Sequence, residues 1–218
     1  LREGWSKLLG NIEPATNPIV KTAEPEETNG VAIERIVLEV EPGIVVPLVV
    51  MQAREELSDP VPVVIALADS GKQNFLAARP DAVSTWLEAG CAVCLPDLRG
   101  YGETSEGSAH GPRSIGTTLS CRDQVLGQTL LGSRLRDLRS VLLVLRSRIG
   151  IDERVSLWGD SLAALNPPER SDVVPLGVDN PNVEAERSAG LLVLLTALFE
   201  EIVNVVYARG TFASFRSL

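Results

Sequence analysis

The stretch RVSLWGDSLA at residues 154–163 carries the strongest indication of the fold. Its first half is apolar and strand-prone, and Gly159-Asp160-Ser161-Leu162-Ala163 follows at once. A serine with a small residue two positions away on each side is typical of the nucleophile elbow, a strained turn from a buried strand into a helix. In such a turn the hydroxyl of Ser161 projects above the sheet, and the N–H of Leu162 points to where an oxyanion would form. The competing interpretation is a helix N-cap, which serine also favours.

Length and composition fit one globular domain. The 218 residues can bury a substantial core, and the contents of 44% hydrophobic and 22% charged residues are ordinary. A formal net charge of −9 argues against nucleic acid or an anionic membrane surface as the main partner. The longest apolar run, residues 189–199, is too short to span a bilayer. Because Leu1 is not Met and no basic-then-apolar leader precedes it, we expect a processed or excerpted chain.

Apolar patterns predict alternating strands and helices along most of the chain. Residues 1–30 are expected to form an N-terminal arm with one short helix, and residues 31–218 a single domain. Besides the strand before Ser161, strands are expected at residues 31–41, 44–51, 61–68, 91–95 and 201–208. Helices are expected to begin at Pro80 and to cover residues 123–149 and 189–200. This order predicts an α/β fold with a mostly parallel sheet, helices on both faces and an N-terminal antiparallel hairpin.

Polar groups cluster where the predicted strands end. Ser161, residues 69–72, residues 97–102 and Arg209-Gly210 should meet at the carboxyl edge of the sheet, where ligands bind in such folds. Residues 69–72 also resemble a phosphate-binding loop, but Ala66 replaces its first glycine, and no helix is expected before Pro80. Asp160 is expected to be a surface or turn carboxylate that points away from Ser161.

Neither a metal site nor a cofactor site is predicted. Cys91 and Cys94 should lie on opposite faces of a strand, so we expect buried thiols rather than a zinc or redox pair. No cluster of His, Cys and carboxylate residues has metal-ligand spacing. The arginines of the long helix are interpreted as an exposed face. Three cysteines leave the cellular compartment open.

Three segments together make the chain resemble an α/β-hydrolase, closest to the acetyl xylan esterase and dienelactone-hydrolase-like branches. They are VVIALADSGK at 63–72, LEAGCAVCLPDLRGYGET at 87–104 and LWGDSLA at 157–163, and the resemblance runs from about residue 31 to the end. The resemblance implies that Ser161 is the nucleophile and that the N–H of Leu162 and an amide of the Ser70-Gly71 loop form the oxyanion hole. It also implies that the substrate is a small carboxylic ester such as an acetylated carbohydrate. It implies structural roles for Asp97 and Arg99.

The sequence departs from this family at two places. Asp69-Ser70 stands where the family often has His-Gly, and no Asp, Glu or His follows Glu201, although the family's triad order is serine, acid, histidine. We therefore expect that the chain stops before the strands that carry the acid and the base. His110, the single histidine, is interpreted as a solvated loop residue, and its reaching Ser161 as a substitute base stays open.

Two functions from different classes follow. The first is a serine hydrolase of carboxylic esters that forms an acyl-enzyme on Ser161. The second is a hydrolase-like binding or scaffold domain without the base and the acid. A sheet that ends early would also expose its last strand, so we expect a dimer, or a second chain that completes the edge.

Overall fold

The computed structural model describes residues 1–53, 61–105, 115–149, 151–161 and 188–211. The strands are β1 (Ile19–Thr22), β2 (Glu26–Thr28), β3 (Val31–Glu41), β4 (Ile44–Ala53), β5 (Val61–Ala68), β6 (Ala92–Pro96), β7 (Ile151–Asp160) and β8 (Val203–Arg209). The helices are α1 (Arg2–Leu9), α2 (Lys72–Ala78), α3 (Pro80–Glu88), α4 (Ile115–Val125), α5 (Leu130–Ile149) and α6 (Ala189–Phe199). A short 3-10 helix covers Gly102–Thr104.

Within the described residues these strands form one sheet in the order β1-β3-β4-β6-β5-β7-β8, and β2 also pairs with β3. The pairs β6–β5, β5–β7 and β7–β8 are parallel. The predicted hairpin is present as β3 and β4, and β4 joins β6 antiparallel. The prediction of a mostly parallel sheet is wrong, and the sheet is mixed. The physical reason lies in residues 1–30. They supply β1 and β2, which pair antiparallel with β3 and enlarge the antiparallel half of the sheet.

Two helix predictions also need correction. Helix α2 starts at Lys72 directly after the loop that follows β5, whereas no helix was expected before Pro80. The single helix predicted for residues 123–149 is two helices, α4 and α5. They are separated at Gly127, whose φ of 72° no right-handed helix can continue through.

Apolar side chains alternate along the central strands and fill a layer on each face of the sheet. Ile65 and Leu67 face the layer that contains α5 and α6. Ala66 and Ala68 face α2 and α3, where the rings of Trp86 and Trp158 lie 5.1 Å apart. Helices therefore flank the sheet on both faces, which explains the continuous apolar run of β5.

The exposed arginine face predicted for α5 is present only in its last turn, at Arg146 and Arg148, because arginines nearer its start are covered. Arg134 is only 2% exposed, and its Nε donates to the carbonyl of Arg99 at 3.0 Å. Arg139 is mostly buried and pairs with Glu200 at 2.6 Å. Helical periodicity identified the apolar stripe but could not show that loops and α6 cover the neighbouring face.

A buried ion pair joins the loop after β6 to α5. Arg99 donates to both carboxylate oxygens of Asp137, from Nε at 2.8 Å and from Nη2 at 2.6 Å, and also reaches Glu41. Burial raises the pKa of Asp137, and the Arg99 guanidinium opposes that shift. The structural role implied for Arg99 agrees with these contacts.

We predict that Arg99→Met lowers the free energy of unfolding by about 3–5 kcal/mol, because it leaves the Asp137 carboxylate buried without its cation. The double variant Arg99→Met/Asp137→Leu should recover most of the loss. Urea unfolding measures the free energy of unfolding of both variants. The control is Arg35→Met, because the ion pair of Arg35 with Glu26 is exposed. Equal effects of the Arg99 and Arg35 substitutions would contradict the prediction.

Candidate functional site

The candidate site lies at the carboxyl edge of the parallel strands, where Ser161 directly follows β7. In the register, Asp160 pairs with Ala68 on one side and with Arg209 on the other. Ser161 is therefore placed between the ends of β5 and β8, beside the loop that begins at Asp69.

Backbone contacts fix Ser161 at this edge. Its N–H donates to the carbonyl of Arg209 at 3.2 Å, and its Oγ donates to the carbonyl of Gly210 at 3.1 Å. The residue is 7% exposed. Two residues earlier, a Cβ on Gly159 would lie 2.4 Å from the carbonyl oxygen of Ala189, so only glycine fits against the start of α6. The structure thus supplies a packing reason for the small residue before the serine.

The second half of the predicted elbow lies outside the described residues. This half contains Leu162, with the predicted oxyanion N–H, and Ala163, the second small residue. His110 also lies outside the described residues. Their roles stay predictions.

In the loop after β5, the two residues predicted to supply an oxyanion donor, Ser70 and Gly71, differ in whether their backbone N–H already has an acceptor. Gly71 uses its N–H in a turn, donating to the carbonyl of Ala68 at 2.9 Å, and the next N–H, of Lys72, donates to Asp97 at 2.7 Å. Ser70 is exposed, and its N–H has no acceptor among the described residues. Of the two residues predicted to supply an oxyanion donor, only Ser70 thus has a backbone N–H without an acceptor among the described residues.

Asp97 holds this loop against the loop that follows β6. It accepts hydrogen bonds from the backbone and the ammonium of Lys72, each at 2.7 Å, and from the N–H of Glu103 at 3.0 Å. The two loops touch at glycines, since a Cβ on Gly71 would lie 2.3 Å from the Cα of Gly102. The structural role implied for Asp97 fits this arrangement.

Lys72 is not available to a phosphate group. Its ammonium lies 2.7 Å from Asp97 and 2.6 Å from Glu103, and the side chain is buried. A helix does follow this loop, contrary to the prediction, because α2 starts at Lys72. The two carboxylates that pair with Lys72, rather than a missing helix, therefore oppose phosphate binding here.

A buried polar cluster that no motif indicated lies beside the same edge. Oδ1 of Asp69 accepts hydrogen bonds from the N–H of Ser188 at 3.2 Å, from its hydroxyl at 3.2 Å and from the N–H of Ala189 at 2.9 Å. The Ser188 hydroxyl also accepts from Arg134 at 3.0 Å and bonds to the hydroxyl of Tyr101. Asp69 therefore anchors the N-terminus of α6, and sequence reasoning missed this because its partners lie far along the chain.

Burial changes the protonation of Asp69. Desolvation raises its pKa from the ordinary value of 3.8 to about 6, although Tyr101, Ala189 and Arg134 each act to lower it. Its Oδ2 is buried and has no hydrogen-bond partner among the described residues. The protonated acid is therefore favoured more strongly in the folded chain than in the unfolded one.

Asp160 is not the surface or turn carboxylate that was expected. It is 1% exposed, and its Oδ2 accepts a hydrogen bond from Nε of Arg79 at 2.9 Å. The strand alternation nevertheless directs it to the face of α2 and α3, away from Ser161.

Cysteine thiols and carboxylates form no metal centre in the part of the chain that the structure describes. Cys94 is buried, Cys91 is half-buried just before β6, and Cys121 is exposed. Burial raises the pKa of the Cys94 thiol, which disfavours the thiolate. Nor, in those ranges, is any helix both long enough and apolar enough to cross a bilayer.

We predict that Asp69→Asn changes how stability depends on pH. Since the folded pKa is about 6 against 3.8 ordinarily, the wild type should lose stability relative to the variant as pH rises through this interval. Asparagine cannot ionise, and its Oδ1 can accept the same donors. Urea unfolding of both proteins between about pH 4 and pH 7 measures the difference, with Asp81→Asn, at an exposed aspartate of α3, as the control. A difference that is constant over this range would contradict the assignment.

Comparison with known proteins gives a fold. No family model matches the chain, and no curated protein matches it. A Bacteroides fragilis protein assigned as an acetyl xylan esterase is 18% identical with a TM-score of 0.61, over 74% of this chain and 46% of that one. Acetyl xylan esterase 1 from Thermoanaerobacterium sp. is 18% identical with a TM-score of 0.58, over 88% and 52%. A glucuronoyl esterase from Solibacter usitatus is 12% identical with a TM-score of 0.55, over 93% and 55%.

This chain thus spans about half the length of the solved structures that it matches. At such low identities the likeness concerns the fold and not the activity. The described part of the chain has an α/β-hydrolase-like fold. This conclusion is supported by the strand order, by the parallel half of the sheet and by the structural neighbours.

Proposed function

We propose that this protein hydrolyses carboxylic esters and that Ser161 is the nucleophile. One observation carries the proposal: Ser161 directly follows β7, an interior strand of the parallel half of the sheet, and it lies beside a loop in which the Ser70 N–H has no acceptor among the described residues. Ligands gather at this edge in open α/β sheets. The names of the structural neighbours, acetyl xylan esterase and glucuronoyl esterase, suggest an ester of a carbohydrate as the substrate.

The proposed reaction proceeds through an acyl-enzyme. Oγ of Ser161 attacks the ester carbonyl carbon and gives its proton to a base, and the carbonyl oxygen becomes an oxyanion. The C–O bond to the alcohol then breaks, and the alcohol leaves with that proton. Water attacks the acyl-serine in turn, which releases the carboxylic acid and restores the Ser161 hydroxyl.

The amides of Ser70 and Leu162 are the proposed oxyanion donors. Gly71 was an equal candidate from the sequence, but its N–H already donates to Ala68. A donor whose hydrogen bond is not already used can be aimed at the developing charge without reorganisation of the loop. For this reason we propose the N–H of Ser70, rather than that of Gly71, as the second oxyanion donor.

A base must withdraw the proton before Ser161 can attack. The Ser161 hydroxyl donates to the carbonyl of Gly210, so it must turn away from that oxygen during the reaction. The single histidine of the sequence is His110. We propose that the base is a histidine, either His110 or one supplied from outside this sequence, and the variant His110→Ala distinguishes the two.

The hydrogen bond from the Ser161 hydroxyl to the carbonyl of Gly210 also favours a second candidate function. In this alternative the chain is a hydrolase-like domain that binds a partner without catalysis. A hydroxyl that is held by a backbone carbonyl is not activated for attack. This alternative predicts that Ser161→Ala leaves the protein's binding role intact and that no ester substrate is turned over.

We predict that a fluorophosphonate probe labels the full-length protein at Ser161, because the probe forms its bond with an activated serine. Labelling should disappear in Ser161→Ala and persist in Ser156→Ala, which changes another serine of β7 away from the edge. Mass spectrometry of the labelled peptide identifies the site. If the wild type is not labelled, the hydrolase proposal fails and the binding alternative stands.

We predict that Ser70→Pro slows this labelling by about 100-fold, the usual effect of one lost oxyanion donor, because proline has no N–H. Ser70→Ala keeps the N–H and should label at nearly the wild-type rate. Thermal unfolding of both variants shows whether the fold is intact. Equal rates in a folded Ser70→Pro variant and in Ser70→Ala would exclude Ser70 as a donor.

A further inference from the structure

A buried ion pair lies immediately behind Ser161. The carboxylate of Asp160 is 1% exposed, and it accepts the Nε–H of Arg79 at 2.9 Å. We propose that Arg79 is a positioning residue for Ser161: by holding Asp160, it fixes the point at which β7 delivers the serine to the edge of the sheet. The proposal rests on the proposed function of Ser161.

Strand alternation explains why Asp160 meets Arg79. Asp160 lies on the same face of β7 as Trp158, two residues earlier, and Trp158 packs against Phe75 of α2 and Trp86 of α3. Arg79 stands between these two helices. The guanidinium therefore reaches the last side chain of β7 from the layer that already covers this strand.

Arg79 is itself held firmly at the corner between α2 and α3. Its N–H donates to the carbonyl of Phe75 at 2.8 Å, and its carbonyl accepts from Val83 at 3.2 Å. Its Nη1 also donates to the carbonyl of Ala78 at 3.0 Å. Because the backbone of Arg79 is fixed and its guanidinium makes a second hydrogen bond through Nη1, its Nε–H holds Asp160 in place.

The same helix pair connects both halves of the proposed site. Helix α2 begins at Lys72, directly after the loop of Ser70, and ends at Ala78, the residue before Arg79. Arg79 then holds Asp160, which precedes Ser161. The pairing of β5 with β7 brings the nucleophile and the proposed oxyanion donor to the same edge, and the short helix and the ion pair provide a second connection between them on the side-chain layer. Because a misplacement of about 1 Å can cost about 100-fold in rate, a loss of this pair should affect the reaction step.

The test compares four variants of the full-length protein. Arg79→Ala removes the guanidinium, and Arg79→Lys keeps a cation. Arg79→Ala/Asp160→Asn removes both charges, so no uncompensated carboxylate remains. Arg139→Ala is the matched control, because it breaks a similarly buried ion pair, with Glu200 at 2.6 Å, next to the opposite end of β8.

Three measurements are made on each variant. They are the fluorophosphonate labelling rate at saturating probe, the melting temperature, and the hydrogen-exchange rate of the Ser161 amide, which donates to Arg209. Arg79→Ala should label about tenfold or more slowly and exchange the Ser161 amide faster. Arg79→Lys should fall between it and the wild type. The double variant should recover melting temperature without recovering the labelling rate, and Arg139→Ala should label like the wild type.

Two results would overturn the inference. One is an Arg79→Ala variant with wild-type labelling and unchanged exchange at Ser161. The other is recovery of both labelling and exchange in the double variant, which would show that Arg79 merely neutralises Asp160. If the wild type is not labelled at all, the proposed function fails, and amide exchange at Ser161 still decides whether Arg79 positions it.

Discussion

The carboxylate of Asp97 is the contact on which the candidate site depends. It is almost completely buried and accepts three hydrogen bonds, two from Lys72 and one from Glu103. Neither of the loops after β5 and β6 can move away without leaving a buried charge unpaired, which is costly. The glycines 71 and 102 allow these loops to touch at Asp97. Because α2 starts at Lys72, the direction of that helix is set at the same point.

Buried ion pairs recur along this edge. Asp137 pairs with Arg99, and Asp160 pairs with Arg79, and both aspartates are at most 1% exposed. Such pairs add little to stability compared with apolar packing, but removal of one partner is strongly destabilising. Together they hold the loops and the end of β7 in one arrangement. This is the property that a site needs when it must keep a nucleophile and a hydrogen-bond donor at a fixed separation.

Local sequence predicted the parts of the structure whose cause is local. The continuous apolar run at residues 61–68 is β5 with the predicted bounds, and the apolar helix predicted at residues 189–200 is α6. Ser161 lies at the end of a buried strand, as the small-x-Ser pattern indicates. Helix α2 was missed because its first N–H is satisfied by Asp97, 25 residues later in the chain, rather than by a local cap. The cluster of Asp69 and Ser188 was missed for the same reason, across 119 residues.

The sequence by itself determined the alternation of buried strands and helices, and it placed a candidate nucleophile at the end of one strand, because periodicity and turn residues act over a few positions. Only the tertiary structure decided that the sheet is mixed, that the N–H of Gly71 donates to Ala68, and that Arg79, Arg99 and Arg134 are partners of buried groups. These outcomes depend on which distant backbone and carboxylate oxygens the fold brings within hydrogen-bond distance, and no local pattern encodes that distance.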